Sequence, residues 1–407
     1  MRSFIWILIM AAAILGGIYF LGQNQVIIIS VPEKIEPLVE KIKIGFMGPL
    51  SGDAVSYGEN IKRGFDLALK NSGLSTSLDV ALDKSLKTSL SNISVIYEDS
   101  KCDAKESLKS VEKLINTDKV VAIVGEVCSG ATLSAAPIAE SNKVVMISSS
   151  STSPSITEAG NFIFRTIPSD ALQGDFGAKI VYNKGYKKLA ILYSSEQYGV
   201  DFNKILSDSF TKLGGKIVIA ESFKKNPTDL KSQFKKIISK KPDALFIVSN
   251  SSADAVLALK QVKTSKLSVA LFGSEGLKSD DILTFVKDTA GSSKIPSVVE
   301  GLRVLSIASG TEDFIANYNE EYKLSPGPFA AQAYDAFWSI AQAIGAGGGN
   351  PITKEYIETA HKTGLEVWRW TVDDEKTMKA LIEVGVDGII SNFPNRLVKL
   401  PGVRLKE

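Results

Sequence analysis

Residues 41–70 read KIKIGFMGPLSGDAVSYGENIKRGFDLALK, and this stretch decides the fold class. Apolar side chains alternate at Ile42, Ile44 and Phe46, which is typical of a strand with a buried face. Along residues 58–70 the apolar side chains recur instead at the spacing of a helix with one buried face. The stretch therefore predicts a strand, a polar turn and a helix, in that order.

The same alternation of strand and helix recurs along the chain in two series. The first has predicted strands at residues 93–97, 120–124 and 144–147, with helices at 104–115 and from residue 131. The second begins beyond Pro168, with strands at 189–193, 216–220, 244–248 and 269–272 and helices at 202–213 and 254–262. Strands that alternate with helices form parallel sheets. We therefore expect an α/β protein with two doubly wound parallel sheets, each covered by helices on both faces.

Composition and motifs exclude several classes of protein. The 407 residues are 44% hydrophobic, which is enough for two or three folded units. Basic and acidic residues number 47 and 45 and are interspersed, so no basic patch suggests a nucleic-acid partner. One histidine and two cysteines cannot supply a Cys/His zinc cluster or a pair of catalytic histidines. Phosphate-loop and nucleophile-elbow motifs are also absent from the sequence, so we expect neither an enzyme nor a cofactor.

The amino-terminal segment predicts a membrane anchor. Residues 4–21 carry no charge and, as a helix, would extend about 27 Å, close to the thickness of a bilayer core. Residues 1–23 are therefore interpreted as a single-pass transmembrane anchor, with Arg2 on the cytoplasmic side, and residues 24–40 as a linker. A cleaved signal peptide is the alternative. Both interpretations place the folded body outside the cytoplasm.

Three predicted strand-to-helix turns are rich in hydroxyl groups, at residues 48–58, 125–132 and 148–154. Ligands of parallel sheets bind beyond the carboxyl ends of the strands, where helix N-termini expose unpaired amides. Hydroxyls can donate to a carboxylate and accept from an ammonium group. The same residues are also common helix caps, so the pattern alone leaves a structural and a binding interpretation open.

Six stretches, taken together, resemble one family. They are KIGFMGPLSGDAVSYGENIKRGFDLAL, YEDSKCDAKESLKSVEKLI, VVAIVGEVCSGATLSAAPIAESNKVVMISSSSTSPSIT, FIFRTIPSD, LAILYSSEQYGVDF and LFGSEGL. In order and spacing they resemble the leucine-binding-like extracytoplasmic binding proteins of branched-chain amino acid ABC importers, over residues 41–345. The same type I periplasmic binding fold also forms the ligand-binding domain of several receptors.

The resemblance implies two lobes that close on an amino acid and are joined by a three-segment hinge. Lobe 1 would comprise residues 41–167 and 307–346, and lobe 2 residues 168–306. The chain would cross between lobes at residues 165–169 and 305–309. The third crossing would follow a helix at residues 329–344, where this chain departs from the family.

The resemblance also assigns ligand contacts residue by residue. Ser129 would bind the ligand carboxylate. The ammonium contacts would fall on the turn that contains Ser150, Ser151 and Thr152 and on Glu275. The pocket aromatics would be Tyr57 and Tyr198. The alternatives are a solvated surface acid for Glu275 and core or rim positions for the two tyrosines.

One further residue and one residue pair depend on the same resemblance. Where leucine-binding members carry an aromatic side chain after the strand at residues 244–248, this chain has Asn250 followed by two serines. A polar ligand side chain or an amide therefore becomes conceivable. The resemblance also pairs Cys102 with Cys128 in a disulfide, which suits an oxidising compartment. A pair of free buried thiols is the alternative.

The C-terminal segment departs from this pattern. Residues 71–91 are interpreted as a surface insertion, and residues 345–350 (GAGGGN) as a flexible boundary. Residues 351–407 contain Trp-Thr-Val and Gly-Val-Asp-Gly-Ile-Ile, and resemble the last βα units of a glycerophosphodiester phosphodiesterase. Since a βα barrel needs eight units, the fragment cannot close one, and His361 is most simply a surface helix residue. Its predicted strands, 366–371 and 386–390, would form an appendage or would substitute for lobe strands; the appendage is favoured because foreign strands rarely match a register.

The leading functional hypothesis is a monomeric, membrane-tethered solute-binding protein. It would deliver an amino acid to an ABC permease. A sensory receptor ectodomain and a phosphodiesterase-related protein that lacks its catalytic half are the alternatives.

Overall fold

The computed structural model describes residues 41–74, 93–278 and 301–347, with shorter stretches at 21–22, 25–26, 282, 284 and between 354 and 401. The chain divides into two units, Met1–Lys41 and Ile42–Glu407. In the first unit, Leu21–Gly22 pairs with Gln25–Val26 in antiparallel fashion. The predicted anchor falls almost wholly outside the described residues. No helix among the residues that the structure does describe is long and apolar enough to cross a bilayer.

The first sheet has five parallel strands in the order β2-β1-β3-β4-β5. The strands are β1 Ile42–Gly48, β2 Ile93–Asp99, β3 Ala122–Val124, β4 Val145–Ser148 and β5 Ile163–Arg165. The helices between them are α1 Val55–Leu69, α2 Ala104–Glu112 and α3 Ser129–Ser141. Helix α1 begins three residues earlier than predicted, because the Val55 amide already donates to the Gly52 carbonyl at 3.2 Å. Strand β5 was not predicted, since three residues with an exposed Phe164 give no periodic signal.

The second sheet repeats this order as β10-β9-β8-β6-β7, again with parallel strands. The strands are β6 Lys188–Ser194, β7 Lys216–Phe223, β8 Ala244–Val248, β9 Ala270–Gly273 and β10 Arg303–Val304. The helices are α4 Asp170–Asn183, α5 Gln197–Lys212, α6 Lys231–Ser239 and α7 Ser252–Thr264, and a short 3₁₀ turn, Glu275–Leu277, follows β9. In both sheets the strand order reverses next to the first strand, and such a reversal opens a crevice for ligands.

Buried apolar layers lie on both faces of each sheet. Along β1 the adjacent residues Phe46 and Met47 are both fully buried and point to opposite faces. Phe46 packs on Phe65 of α1, with ring centroids 5.1 Å apart, and Met47 belongs to a cluster with Leu114. Each buried side chain of this size contributes roughly 1.5–3 kcal/mol through removal of apolar area from water. The cores therefore fix the position of the strand ends.

After β10 the chain returns to the first sheet as α8 Glu312–Tyr322 and α9 Ala330–Gly347. Helix α9 packs along α1, where Gly64 lies so close to Ala330 that an added Cβ would meet its carbonyl oxygen at 1.9 Å. We refer to the first sheet with α1–α3, α8 and α9 as lobe 1, and to the second sheet with α4–α7 as lobe 2.

Two described segments connect the lobes. The first runs from Thr166, whose hydroxyl donates to the Gln332 carbonyl at 2.7 Å, to Ser169, which caps α4. The second follows β10, where the Leu305 amide donates to the Gly273 carbonyl at 2.8 Å. Both coincide with the predicted crossings at residues 165–169 and 305–309. The predicted third crossing would follow α9, which includes residues 345–347 of the GAGGGN stretch; residues 348–350 lie outside the described part of the chain.

The C-terminal segment contains a strand–helix–strand unit. Its elements are β11 Trp368–Arg369, α10 Glu375–Val384 and β12 Gly388–Ile389. Strand β11 pairs with β12 in parallel, and neither pairs with a lobe sheet within the described residues. The side chains of Met378, Leu381 and Leu400 form a small buried cluster. The half-exposed His361 pairs with Asp387, with 2.8 Å between Nε2 and Oδ2.

Candidate functional site

A cavity open to solvent lies between the lobes, at the carboxyl ends of both sheets, and encloses about 420 Å³ when the open solvent inside its mouth is included. Six of the sequence-predicted site residues line it: Tyr57, Ser129, Ser150, Tyr198, Asn250 and Glu275. Each lobe contributes three of them. In lobe 1 they come from α1 and the ends of β3 and β4, and in lobe 2 from the ends of β8 and β9 and the first turn of α5. This is the arrangement that a ligand held between two closing lobes requires.

The lobe 1 wall offers hydrogen-bond donors. Ser129 is the first residue of α3, so its backbone amide and those of the next residues have no carbonyl partner within the helix. Its hydroxyl oxygen accepts from the Ser153 amide at 3.3 Å, which leaves the hydroxyl proton available for donation. The partial positive charge of a helix N-terminus also favours an anion here. The Ser150 hydroxyl donates to the Val127 carbonyl at 2.7 Å and thereby joins the two hydroxyl-rich turns.

The lobe 2 wall is acidic. Glu275, on the 3₁₀ turn after β9, is only 4% exposed, and its Oε2 atom has no hydrogen-bond partner among the described residues. Asp170, the first residue of α4, is fully buried and lies close enough to Glu275 for their negative charges to repel each other. Its Oδ2 accepts from the Thr152 hydroxyl at 2.8 Å, whereas Oδ1 has no partner in the described part of the chain. The Tyr198 hydroxyl lies beside Ser274 and Glu275.

Burial raises the pKa values of the two carboxyl groups in this wall. It raises the pKa of Glu275 to about 7, while the backbone amide of Glu275 and the Tyr198 hydroxyl act in the opposite direction. Burial, together with the charge of Glu275, raises the pKa of Asp170 well above its ordinary value; Arg165 opposes this shift and Asp201 adds to it. Arg165 directs its guanidinium to the carbonyls of Thr152 and Ser153. The wall therefore lacks a cation paired with either carboxylate among the described residues, and a ligand that brings one would be stabilised.

Aromatic rings close the cavity from lobe 1. Tyr57 of α1 and Phe329 have ring centroids 6.1 Å apart, and both line the cavity. The Tyr57 hydroxyl reaches across to lobe 2 and donates to the Gly276 carbonyl at 3.0 Å. Gly276 also approaches the backbone after β8 so closely that an added Cβ would meet the Ser249 oxygen at 1.9 Å. A larger residue at this position would push the lobe 2 loops apart.

Ser151 and Thr152 are placed behind the cavity wall. Both are buried but neither lines the cavity. The Ser151 hydroxyl lies 2.6 Å from that of Thr132, and the Thr152 hydroxyl donates to Asp170. The sequence predicted that both residues contact the ligand, whereas here both lie behind the wall of the cavity. In this arrangement they support the turn and the Asp170 carboxylate.

A disulfide joins Cys102 to Cys128 directly beside Ser129, with a Cα–Cα distance of 5.4 Å. Cys128 is the N-cap residue of α3 and itself lines the cavity. The neighbouring Glu126 is fully buried and accepts hydrogen bonds from the Ser100 hydroxyl and the Val127 amide at 2.7 and 2.9 Å. These contacts tie the turn before Ser129 to the loop after β2.

Sequence reasoning missed Asp170 and Phe329. Asp170 follows the N-cap Ser169 and looks like an ordinary acid in a first helical turn, where acids are common. Only the contact between the lobes buries it beside Glu275. Phe329 precedes α9 with a positive φ of 69°, which no local pattern indicates. Among the residues that can be described, no group of three acidic, histidine or cysteine side chains is placed to hold a metal ion.

Comparison with known proteins decides the family. The periplasmic binding protein profile matches residues 41–388. The chain belongs to this family. A leucine-, isoleucine-, valine-, threonine- and alanine-binding protein of Pseudomonas aeruginosa is 27% identical over 317 residues, which cover 76% of this chain and 79% of that protein.

Solved structures agree with the family assignment. A leucine binding protein from Thermotoga maritima is 25% identical with a TM-score of 0.64, over 74% of this periplasmic binding protein and 82% of that chain. A solute binding protein of an ABC transporter from Rhodopseudomonas palustris, in complex with 3,4-dihydroxy benzoic acid, is also 25% identical. It has a TM-score of 0.63 and covers 76% of this chain and 82% of its own.

These comparisons confirm the predicted type I periplasmic binding fold with two parallel-sheet lobes. They also confirm the prediction of a solute-binding protein and not an enzyme, because the relatives are substrate-binding proteins. The phosphodiesterase resemblance of residues 351–407 is not shown by them and stays a prediction, as does the transmembrane anchor. The family match extends to residue 388 and so includes most of the strand–helix–strand unit.

Proposed function

We propose that this periplasmic binding protein is the solute-binding component of an ABC importer and that its ligand is an amino acid. The observation that carries the proposal is the buried carboxylate of Glu275, whose Oε2 atom has no hydrogen-bond partner among the described residues, in the same cavity as Ser129 at the N-terminus of α3. An α-carboxylate would accept from the Ser129 hydroxyl and the first amides of α3. An α-ammonium group would donate to Glu275, with Asp170 and the Tyr198 hydroxyl close by.

Charge favours an amino acid over an aromatic acid. The Rhodopseudomonas neighbour binds 3,4-dihydroxy benzoic acid, which has a carboxylate and no cation. In this cavity such a ligand would bring no cation to Glu275 and Asp170, so it would gain no charge-assisted hydrogen bond from the lobe 2 wall. An amino acid supplies one charge of each sign. Charge-assisted hydrogen bonds at both ends are roughly twice as strong as neutral ones.

Binding would be coupled to lobe closure. Ser129 and Ser150 belong to lobe 1, whereas Glu275 and Tyr198 belong to lobe 2, so only a closed form presents both sets at once. A ligand that contacts both lobes stabilises the closed form selectively. The permease would then recognise the closed lobes. We further propose an extracytoplasmic, monomeric body tethered through residues 1–23, consistent with the Cys102–Cys128 disulfide.

Calorimetric titration of the full chain tests the proposal. We expect amino acids to bind, and benzoate and 3,4-dihydroxybenzoate to bind more weakly or not at all. Glu275→Gln should weaken amino acid binding by about 10- to 100-fold, which corresponds to the loss of a hydrogen bond to a charged group. Glu320→Gln, an exposed change on α8, is the matched control and should bind as the parent does. Tighter binding of the benzoates, or unchanged binding by Glu275→Gln, would reject the proposal.

A further inference from the structure

The loop after β8 forms the part of the cavity wall that could contact a ligand side chain and discriminate between ligands. It contributes Ser249 and Asn250, on the lobe opposite Tyr57 and Phe329. The Ser249 hydroxyl is committed to the Ser251 carbonyl at 2.8 Å. Asn250 is half-buried, and its Nδ2 atom lies 2.7 Å from Oε2 of Glu196. Asn250 is therefore the polar side chain of this loop that can respond to a ligand.

Glu196 fixes the orientation of the Asn250 amide. An ionised carboxylate only accepts hydrogen bonds, so the NH₂ group of Asn250 must face Glu196. Glu196 is itself held at the start of α5, where its amide donates to the Ser194 hydroxyl at 3.3 Å. The carbonyl oxygen of Asn250 then points away from Glu196, and no described residue donates a hydrogen bond to it. The wall offers an acceptor with a fixed direction.

Three acidic side chains lie near this loop. Burial raises the pKa of Asp254, at the start of α7, and the charges of Glu196 and Asp53 add to that effect. These three acids form no ion pair within the described residues. A negative field strengthens a bond from a donor and opposes an acidic ligand side chain. The apolar stem of the side chain would lie against Tyr57 and Phe329.

We infer that Asn250, oriented by Glu196, selects amino acids whose side chain carries a hydrogen-bond donor over apolar amino acids of the same shape. This inference rests on the proposed function and names the ligand class within it. Asn250 is the specificity-determining residue that touches the ligand, and Glu196 is a positioning residue that acts through it.

Isosteric ligand pairs test the inference. Threonine and valine have nearly the same shape, as do asparagine and leucine, and only the first member of each pair carries a side-chain donor. We expect the donor member to bind about 10-fold tighter in calorimetric titration of the full chain, the effect of one hydrogen bond at a half-buried site. Asn250→Leu should abolish or reverse this ratio. Ser129→Ala, which affects the common carboxylate, should weaken both members of a pair alike.

Glu196→Gln provides a second variant in case Asn250→Leu fails to fold, which circular dichroism would reveal. A glutamine amide can donate as well as accept, so the Asn250 amide could turn and the donor preference should shrink several-fold. Equal or tighter binding of the apolar members by the parent chain, or an unchanged ratio in both variants, would overturn the inference alone. If no amino acid bound at all, the proposed function would fail and the inference with it.

Discussion

Glu275 changes its charge near neutral pH because burial raises its pKa to about 7. The proposed ligand contact needs the ionised form, whereas the α-ammonium group of an amino acid stays charged throughout this range. Affinity should therefore fall by roughly tenfold per pH unit below that value, as expected for a single competing proton. Calorimetric titration between pH 5 and pH 8 measures it. Glu275→Gln should bind weakly with little pH dependence, and an equally steep profile in that variant would contradict the prediction.

The Glu275 carboxyl group also affects the free energy of unfolding of the ligand-free protein, and this effect depends on pH with the opposite sign to the effect on ligand affinity. Its pKa is higher in the folded than in the unfolded chain, so its stabilising contribution is complete below about pH 4.3 and is lost as the pH rises through about 7. Glu126 adds a contribution of the same sign, since burial also raises its pKa to about 7. A comparison of thermal midpoints between the parent chain and Glu275→Gln isolates the first contribution.

At the scale of elements, the Cys102–Cys128 bridge constrains the N-terminus of α3. It closes a loop with a sequence separation of 26, so its loss should destabilise the fold by about 3.5 kcal/mol through the added entropy of the unfolded chain. Urea unfolding of the double variant Cys102→Ser, Cys128→Ser measures this change. Amino acid affinity should also fall, because the turn before Ser129 is no longer held. Unaltered stability would show that the bridge is dispensable.

Elements with a long run of apolar residues could be predicted from the sequence, whereas very short elements could not. Strand β8 Ala244–Val248 has the predicted bounds, because five consecutive apolar residues can only be buried. Strand β10 Arg303–Val304 is too short to give any signal and is defined by its pairing with β9. The site follows the same rule. Ser129 and Glu275 could be placed from the strand ends and the family resemblance, whereas Asp170 is part of the site only because the two lobes meet there.

At the scale of the whole molecule, several hydrogen bonds among the described residues cross between the lobes, and three of them are made by residues other than Thr152 and Asp170. The Tyr57 hydroxyl donates to the Gly276 carbonyl at 3.0 Å, and the Asn226 amide to Asp53 at 2.7 Å. The Ser153 hydroxyl donates to Asp201. These bonds lie at different places along the cleft, and each exists only while the lobes are together. They therefore contribute to the closed form in addition to any ligand.

Removal of the Asp53–Asn226 bond tests the effect of lobe closure apart from ligand contact, because both residues are exposed and neither lines the cavity. Asp53→Ala removes an exposed hydrogen bond worth roughly 0.5–1 kcal/mol, so every amino acid should bind about three-fold more weakly. The ratio within each isosteric pair should stay close to that of the parent, since Asn250 and Glu196 are untouched and the charge of the exposed Asp53 is screened by solvent. Calorimetric titration measures both quantities, and small-angle scattering of the ligand-free variant should show a larger radius of gyration. Glu320→Ala, also exposed, is the control. A selective loss for one ligand would mean that Asp53 acts on the ligand and not on the lobes.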